Sequence, residues 1–281
     1  MTFRHATCNE AFEKWDFAES CRTMKRLGYE GIEIAPFTLA EDPATVSPER
    51  RREIKDIIAS EGLAFVGLHW LMVSPKGLHV TTPNTTLRET SWFHIRNLID
   101  LCADLGPNGV MVFGSPKQRS AVDGLTPEEA TLNFVEGLQA VASQAEERGV
   151  KLLIEALPLE QTDVVLTLEE AVAHVKKIDS PAIRTMFDTH NAVDEKEDHA
   201  VLVDRYFDYI EHVHVNETDG SHCGWVKPGA KPYDFVPLLK TLKRRNYSKW
   251  VSLEAFDFTP GAEKLAQESI EYLNKKIAEE I

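Results

Sequence analysis

The 281-residue chain sets 31 Lys and Arg against 45 Asp and Glu, a formal net charge of −14 at pH 7. A surface of that sign repels phosphate backbones and anionic headgroups, which argues against nucleic acid or a membrane surface as partner. With 43% hydrophobic and 27% charged residues the chain has apolar material for a large core, so a disordered polypeptide is excluded.

Short apolar runs alternate with longer amphipathic ones from one end of the chain to the other. The runs at 3–8, 31–35, 64–68, 109–113, 150–154, 183–187, 210–215 and 250–253 are predicted strands. Helices are predicted between them at 16–28, 47–62, 84–106, 126–148, 167–178, 195–208, 233–245 and 260–279. Ser47-Pro48 and Thr126-Pro127 read as an N-cap followed by proline in the first turn, and Thr167 with Glu170 has capping-box spacing. At Leu27-Gly28, Glu61-Gly62, Leu105-Gly106 and Arg148-Gly149, a glycine is expected to stop the helix in the left-handed conformation, with Asn246 serving likewise. Val135, Leu138, Val141, Ala142 and Ala145 form one apolar helix face, which is packing.

No linker or composition shift divides the sequence, so residues 1–281 are expected to form one unit. Eight βα repeats in a chain of this length predict a single (β/α)8 TIM barrel, with a doubly wound open sheet as the alternative. Cys8, Cys21, Cys102 and Cys223 make no CxxC pair and read as free thiols of a reducing compartment. The segment Met1-Thr2-Phe3-Arg4-His5 lacks the apolar stretch of a signal peptide, and no run of about 18 apolar residues occurs, so a cytoplasmic protein is expected.

In a parallel barrel the functional groups gather where the strands end and the βα loops begin. Polar residues fall there: Asn9 and Glu10 after strand one, His69 and Trp70 after strand three, Gly114-Ser115 after strand four. Glu155, Asp188 and Glu254 end strands five, six and eight, and His214 lies near the end of strand seven. A carboxylate closing a buried strand must be paired, hydrogen-bonded or bound to metal. Any one of these acids could be a solvated loop residue or a helix cap, but four ligand-type groups on successive strands predict one divalent cation. Three carboxylates and one imidazole suit Mn²⁺, Mg²⁺ or Co²⁺ better than a structural zinc, with Zn²⁺ possible.

The segments Gly28-Tyr29-Glu30-Gly31-Ile32-Glu33, Gly67-Leu68-His69, Leu153-Ile154-Glu155, Phe187-Asp188-Thr189, His212-Val213-His214-Val215-Asn216 and Ser252-Leu253-Glu254-Ala255-Phe256 together resemble the xylose isomerase-like TIM-barrel superfamily. That group of sugar isomerases and epimerases includes the D-tagatose 3-epimerase, hydroxypyruvate isomerase and inosose dehydratase families. The resemblance implies metal binding by Glu155, Asp188, His214 and Glu254, and an acid/base pair in Glu155 and Glu254. Ketose 3-epimerases also carry a histidine three residues after the metal aspartate, where this chain has Asn191 with His190 one position earlier. Six residues after the metal histidine they carry an arginine, where this chain has Gly220 with His222 nearby.

The reaction class so implied moves a proton at carbon next to a carbonyl through an enediolate, for which a Lewis acid and two carboxylates suffice. His69, His190 and His222 are candidates to bind substrate hydroxyls or shuttle protons, against readings as a packed core histidine, a loop residue and a surface residue. Glu160 is a candidate to bind substrate or orient Glu155, or else a solvated loop acid. Trp15, Trp70 and Phe37 offer an apolar wall for a sugar, or plain packing. Lys117 and Arg119 offer charge to a substrate phosphate or carboxylate, or solvated surface. The expected partner is a sugar, free or phosphorylated, or a keto-polyol, and a homo-oligomer is compatible with the sequence. An inosose dehydratase-like lyase uses the same cation and enolisation but expels water. An endonuclease IV-like repair enzyme is disfavoured, because it needs a histidine-rich multi-metal cluster and a basic DNA-binding face. A non-catalytic sugar-binding barrel is the remaining alternative.

Overall fold

Strand side chains alternate between two faces, so a strand buried on both sides reads as a near-continuous apolar run. In the computed structural model, which describes residues 3–281, all eight such runs form parallel strands of one closed barrel. Met1 and Thr2, at the head of the stretch read as lacking a signal sequence, lie outside the described residues. The strands are β1 Arg4–Cys8, β2 Gly31–Ile34, β3 Ala64–Leu68, β4 Val110–Phe113, β5 Lys151–Ile154, β6 Ile183–Asp188, β7 Ile210–Val215 and β8 Trp250–Leu253. Each pairs with its sequence neighbour, and β8 closes the ring on β1 with Thr7 opposite Leu253.

The surrounding helices are α1 Phe17–Leu27, α2 Pro48–Ser60, α3 Thr85–Leu105, α5 Pro127–Arg148, α6 Leu168–Ile178, α7 His199–Tyr206, α8 Phe235–Arg244 and α9 Ala262–Glu280. A short α4, Pro116–Arg119, occupies a stretch read as loop. Thr126 and Glu129 form a reciprocal capping box. Thr167 caps Glu170 N, but the Glu170 carboxylate turns to Leu166 N, so the second box is only half made. Helix α7 starts later than the predicted 195 because residues Asn191–Asp194 form a 3-10 turn and Asp198 then caps Ala200 and Val201. The left-handed stop is present at Gly28 (φ 105°) and Gly149 (φ 68°), but Gly106 is extended and Asn108 takes the positive φ instead.

The main core lies between the outward faces of the strands and the helices, around residues such as Ile32, Met111, Leu152, Val213 and Leu253. A second, smaller cluster of Ala6, Val66, Val110, Val112, Leu153 and Met186 plugs the barrel axis. Period-2 alternation puts the next inward position on each strand two residues further along, at the mouth. Above Leu153 stands Glu155, and above Met186 stands Asp188; the same step on β7 and β8 runs from His212 to His214 and from Ser252 to Glu254. Among the described residues no helix is long and apolar enough to cross a membrane, and all four cysteines are buried and unpaired.

Candidate active site and metal centre

Glu155, Asp188, His214 and Glu254 each offer a ligand atom, and these atoms all lie within 4.8 Å of one another. All four side chains are buried, with His214 fully enclosed. His214 Nδ1 lies 2.8 Å from Glu254 Oε2 and 3.6 Å from Asp188 Oδ2. Yet neither His214 Nδ1 nor Asp188 Oδ2 makes a hydrogen bond. Close approach without hydrogen-bond direction is what side chains aimed at a common third centre show. The donor set of carboxylate oxygens and one imidazole nitrogen therefore fits a divalent cation.

Asp188, Glu155 and His214 are each anchored through a second atom. Asp188 Oδ1 accepts from His190 N at 2.7 Å and Asn191 N at 2.8 Å, because the 3-10 turn that follows β6 points its amides back at the strand end. Glu155 Oε1 accepts from Asn191 Nδ2 at 2.9 Å, and Gln161 Nε2 in turn donates to Asn191 Oδ1 at 2.9 Å. Below, Glu33 on β2 accepts from His212 Nε2 at 2.8 Å and lies 3.1 Å from His214 Nε2. Burial pushes the Glu155 carboxyl up to about 8, and the neighbouring Glu254 and Asp188 carboxylates add to the rise. Glu254 is raised as well, by burial first, against the pull of His214. A divalent cation among them would favour the ionised forms of Glu155 and Glu254. Glu33 behaves oppositely: burial opposes its charge, but His212 and His214 outweigh burial and hold it well below the usual carboxylate range.

Above the quartet opens a cavity of about 260 Å³, whose walls include His69, Trp70, Ser115, Gln161, His190, Asn191 and Phe256 together with Glu155 and Glu254. No Lys or Arg lines it among the described residues. His69 Nε2 is bonded to Glu10 Oε2 at 2.7 Å. His190 Nδ1 bonds Thr218 O at 2.8 Å, and its ring packs 5.1 Å from Phe256, which meets Trp70 edge-on at 6.0 Å. Ser115 sits in the left-handed region (φ 46°) with its buried Oγ unpartnered.

Of the residues singled out from sequence, Glu155, Glu254, His69, His190 and Trp70 line this cavity, and Asp188 and His214 cluster with Glu155 and Glu254. Trp15, Glu160 and His222 do not line it. Trp15 packs edge-on against Phe12, Glu160 is exposed beside the cavity-lining Gln161, and His222 stacks on Trp225 and bonds Glu268. Phe37 lies in the turn Pro36–Thr38, away from the cavity walls. No phosphate cradle forms from Lys117 and Arg119: Lys117 is exposed, and Arg119 is fully buried, donating from Nη1 to Phe113 O and from Nη2 to Glu155 O, both at 2.8 Å. Arg119 thus ties together the ends of β4 and β5. Sequence reading gave no role to Glu33, Asn191 or Gln161, which bond His214, Glu155 and Asn191 in turn; Glu33 and Asn191 alone had a signal, lying within or beside the motif segments quoted above.

The family profile described as Xylose isomerase-like TIM barrel matches residues 21–276. The inosose dehydratase of Clostridium perfringens is 26% identical over 145 residues, 46% of this chain and 48% of that protein. The ketose 3-epimerase of Arthrobacter globiformis is 25% identical over 179 residues, 62% of this chain and 58% of that one. The matched stretch thus spans about half the length of these curated relatives. The crystal structure of D-psicose 3-epimerase with D-tagatose, from Clostridium cellulolyticum, superposes with a TM-score of 0.82 at 18% identity, covering 98% of this chain and 99% of that one, a likeness of fold.

Proposed function

The chain belongs to the xylose isomerase-like TIM-barrel family, and from the geometry of its barrel mouth we propose that it is a divalent-metal-dependent enzyme that epimerises or isomerises an unphosphorylated sugar. The observation that carries this reading is the convergence of three buried carboxylates and an imidazole nitrogen, two of whose atoms have no other partner. Glu155, Asp188, His214 and Glu254 are the ligands; the cation, when bound, supplies the positive charge that stabilises a developing enediolate. Mn²⁺, Mg²⁺ or Co²⁺ suits this oxygen-rich set.

Glu155 and Glu254 serve as base and acid, one removing the proton from carbon next to the substrate carbonyl and the other returning a proton to the opposite face or adjacent carbon. Gln161 and Asn191 support this role for Glu155 by fixing Oε1 of a carboxylate that lines the cavity. His69 and His190 present ring edges to substrate hydroxyls, and Trp70 with Phe256 forms the apolar side of the pocket. The absence of Lys and Arg from the walls favours a neutral polyhydroxy carbonyl compound over a phosphorylated one. A second reading, dehydration of a keto-polyol after the same enolisation, is favoured by the match to inosose dehydratase.

The test is proton exchange. Purified protein with Mn²⁺ is incubated in D2O with free ketoses and inososes and followed by ¹H NMR and mass spectrometry. Deuterium entering the carbon next to the carbonyl, with the carbon skeleton intact and water retained, is the expected result; loss of water selects the lyase. Glu155→Gln and Glu254→Gln should each abolish exchange. No exchange with any substrate, under Mn²⁺, Mg²⁺, Co²⁺ and Zn²⁺ in turn, overturns the proposal.

A further inference from the structure

Glu33 stands below the cavity and takes no part in the chemistry proposed above, yet it is fully buried at the centre of the barrel. Its position follows from β2: Glu33 faces inward opposite Cys8 on β1 and Gly67 on β3, while Ile32 and Ile34 pack outward in the main core. A buried carboxylate costs several kcal/mol unless its partners are well placed, and an aliphatic side chain would fill the same space more cheaply. Three imidazoles and the Cys8 thiol surround it. His212 Nε2 reaches Oε2 at 2.8 Å, His214 Nε2 lies 3.1 Å from Oε1 and 3.2 Å from Oε2, and His69 Nδ1 is 3.8 Å from Oε1.

An imidazole has two nitrogens, and what one of them binds decides what the other can do. With Nε2–H donated to Glu33, a neutral His214 presents its lone pair at Nδ1. That is the nitrogen left without a hydrogen bond between Asp188 and Glu254. The alternative tautomer would place a hydrogen on Nδ1, directed into the group of carboxylates where a cation must sit, and would leave Nε2 without a proton to give Glu33. Carboxylates that accept from the distal nitrogen of a liganding histidine fix both ring plane and tautomer.

We propose that Glu33 is a positioning residue that holds His214 in the tautomer and orientation able to bind a cation, with His212 bracing the same carboxylate from the adjacent inward position of β7. The inference rests on the metal-centre reading, and the experiment separates the two. Mn²⁺ binding is measured by calorimetry for the wild type, Glu33→Ala, Glu33→Gln, Glu33→Asp and His214→Asn, alongside melting temperatures in EDTA. Removing such a partner weakens metal binding by about 10–100-fold. That loss is expected for Glu33→Ala, with a smaller one for Glu33→Gln, which keeps one acceptor oxygen, and partial recovery in Glu33→Asp. Where Glu33→Ala does not fold, Glu33→Gln carries the test. Long-range ¹H–¹⁵N spectra of the Zn²⁺-loaded proteins give a second readout: His214 carries its proton on Nε2 in the wild type, and this signal moves or broadens in Glu33→Gln. Wild-type affinity in Glu33→Gln and Glu33→Ala, with only the melting temperature lowered, overturns the proposal and leaves the metal centre standing. A wild type that binds none of Mn²⁺, Mg²⁺, Co²⁺ and Zn²⁺ overturns both.

Discussion

Gly114→Ala tests the placement of Glu155 without touching a titratable group. Gly114 follows β4 at an inward position, and a methyl group there would press on Glu155 Oε2 well inside contact distance and lie 3.5 Å from its Cδ, meeting no other residue within 4 Å. Non-bonded heavy atoms settle near 3.5–4 Å, so the carboxylate oxygen must swing away by about 1 Å. Asn191 Nδ2 holds the other oxygen at 2.9 Å, so the group rotates out of its place rather than sliding. In an active site a displacement of about 1 Å costs on the order of 100-fold in rate, equivalent to about 2.7 kcal/mol of transition-state stabilisation. Because the strain falls on a side-chain end and the backbone is outside the left-handed region, the change to folding is about 0.5 kcal/mol or less, a melting shift of roughly 2 °C. The assay pairs the D2O exchange rate and calorimetric Mn²⁺ affinity with a thermal melt. Wild-type exchange and affinity in a well-folded Gly114→Ala protein would refute the assignment of Glu155 to the reacting centre.

Arg119→Lys replaces two guanidinium bonds to Phe113 O and Glu155 O with one at most, so stability should fall by about 1–3 kcal/mol; an unchanged melting temperature refutes the brace. His5 is buried with Nε2 unpartnered, and burial lowers its pKa to about 4. The unfolded chain takes up a proton near pH 6.5 that the folded one refuses, so this group's contribution is whole above 6.5, declines as pH falls, and is gone below about 4, amounting to about 3 kcal/mol. His5→Gln should therefore flatten stability between those pH values relative to wild type, and parallel pH curves would contradict it. Mn²⁺ at 100 times its dissociation constant should stabilise the fold by about 2.7 kcal/mol, reversibly with EDTA, and Asp188→Asn should abolish the effect; a shift of equal size in that variant would place the ion elsewhere.

The strands were legible because a segment buried on both faces is mostly apolar, and the acids that end them stood out for the same reason. Residues 152–155 illustrate this: three apolar side chains and then Glu155, with the inward direction set by alternation from Leu153. Loop geometry was not legible. Glu160 and Gln161 differ by one position, but only the second turns to the cavity, a choice made by the course of the loop through Pro158 and its bonds to Gln161 N and Thr162 N. Arg119 reads as surface charge in Pro116-Lys117-Gln118-Arg119, and only the α4 turn carries its guanidinium beneath the loop to two carbonyls. His222 was drawn to the site by its nearness in sequence to His214, whereas the loop after β7 spends it on Trp225 and Glu268. Gly106 shows the limit of reading helix ends from glycine alone, since the neighbouring Asn108 took the positive φ.

The stave that seals the cylinder, β8 between β7 and β1, also delivers the fourth donor, Glu254. For an ion held by these four side chains, all four would be in place only once the ring is closed: with β8 undocked, three would face an open seam. An ion seated among β5, β6, β7 and β8 would cross-link half of the circumference, leaving the β1–β4 half to its backbone ladder and apolar packing. Amide exchange on the loaded protein should then slow unevenly around the wall, most along those last four staves, so that the molecule breathes from one side.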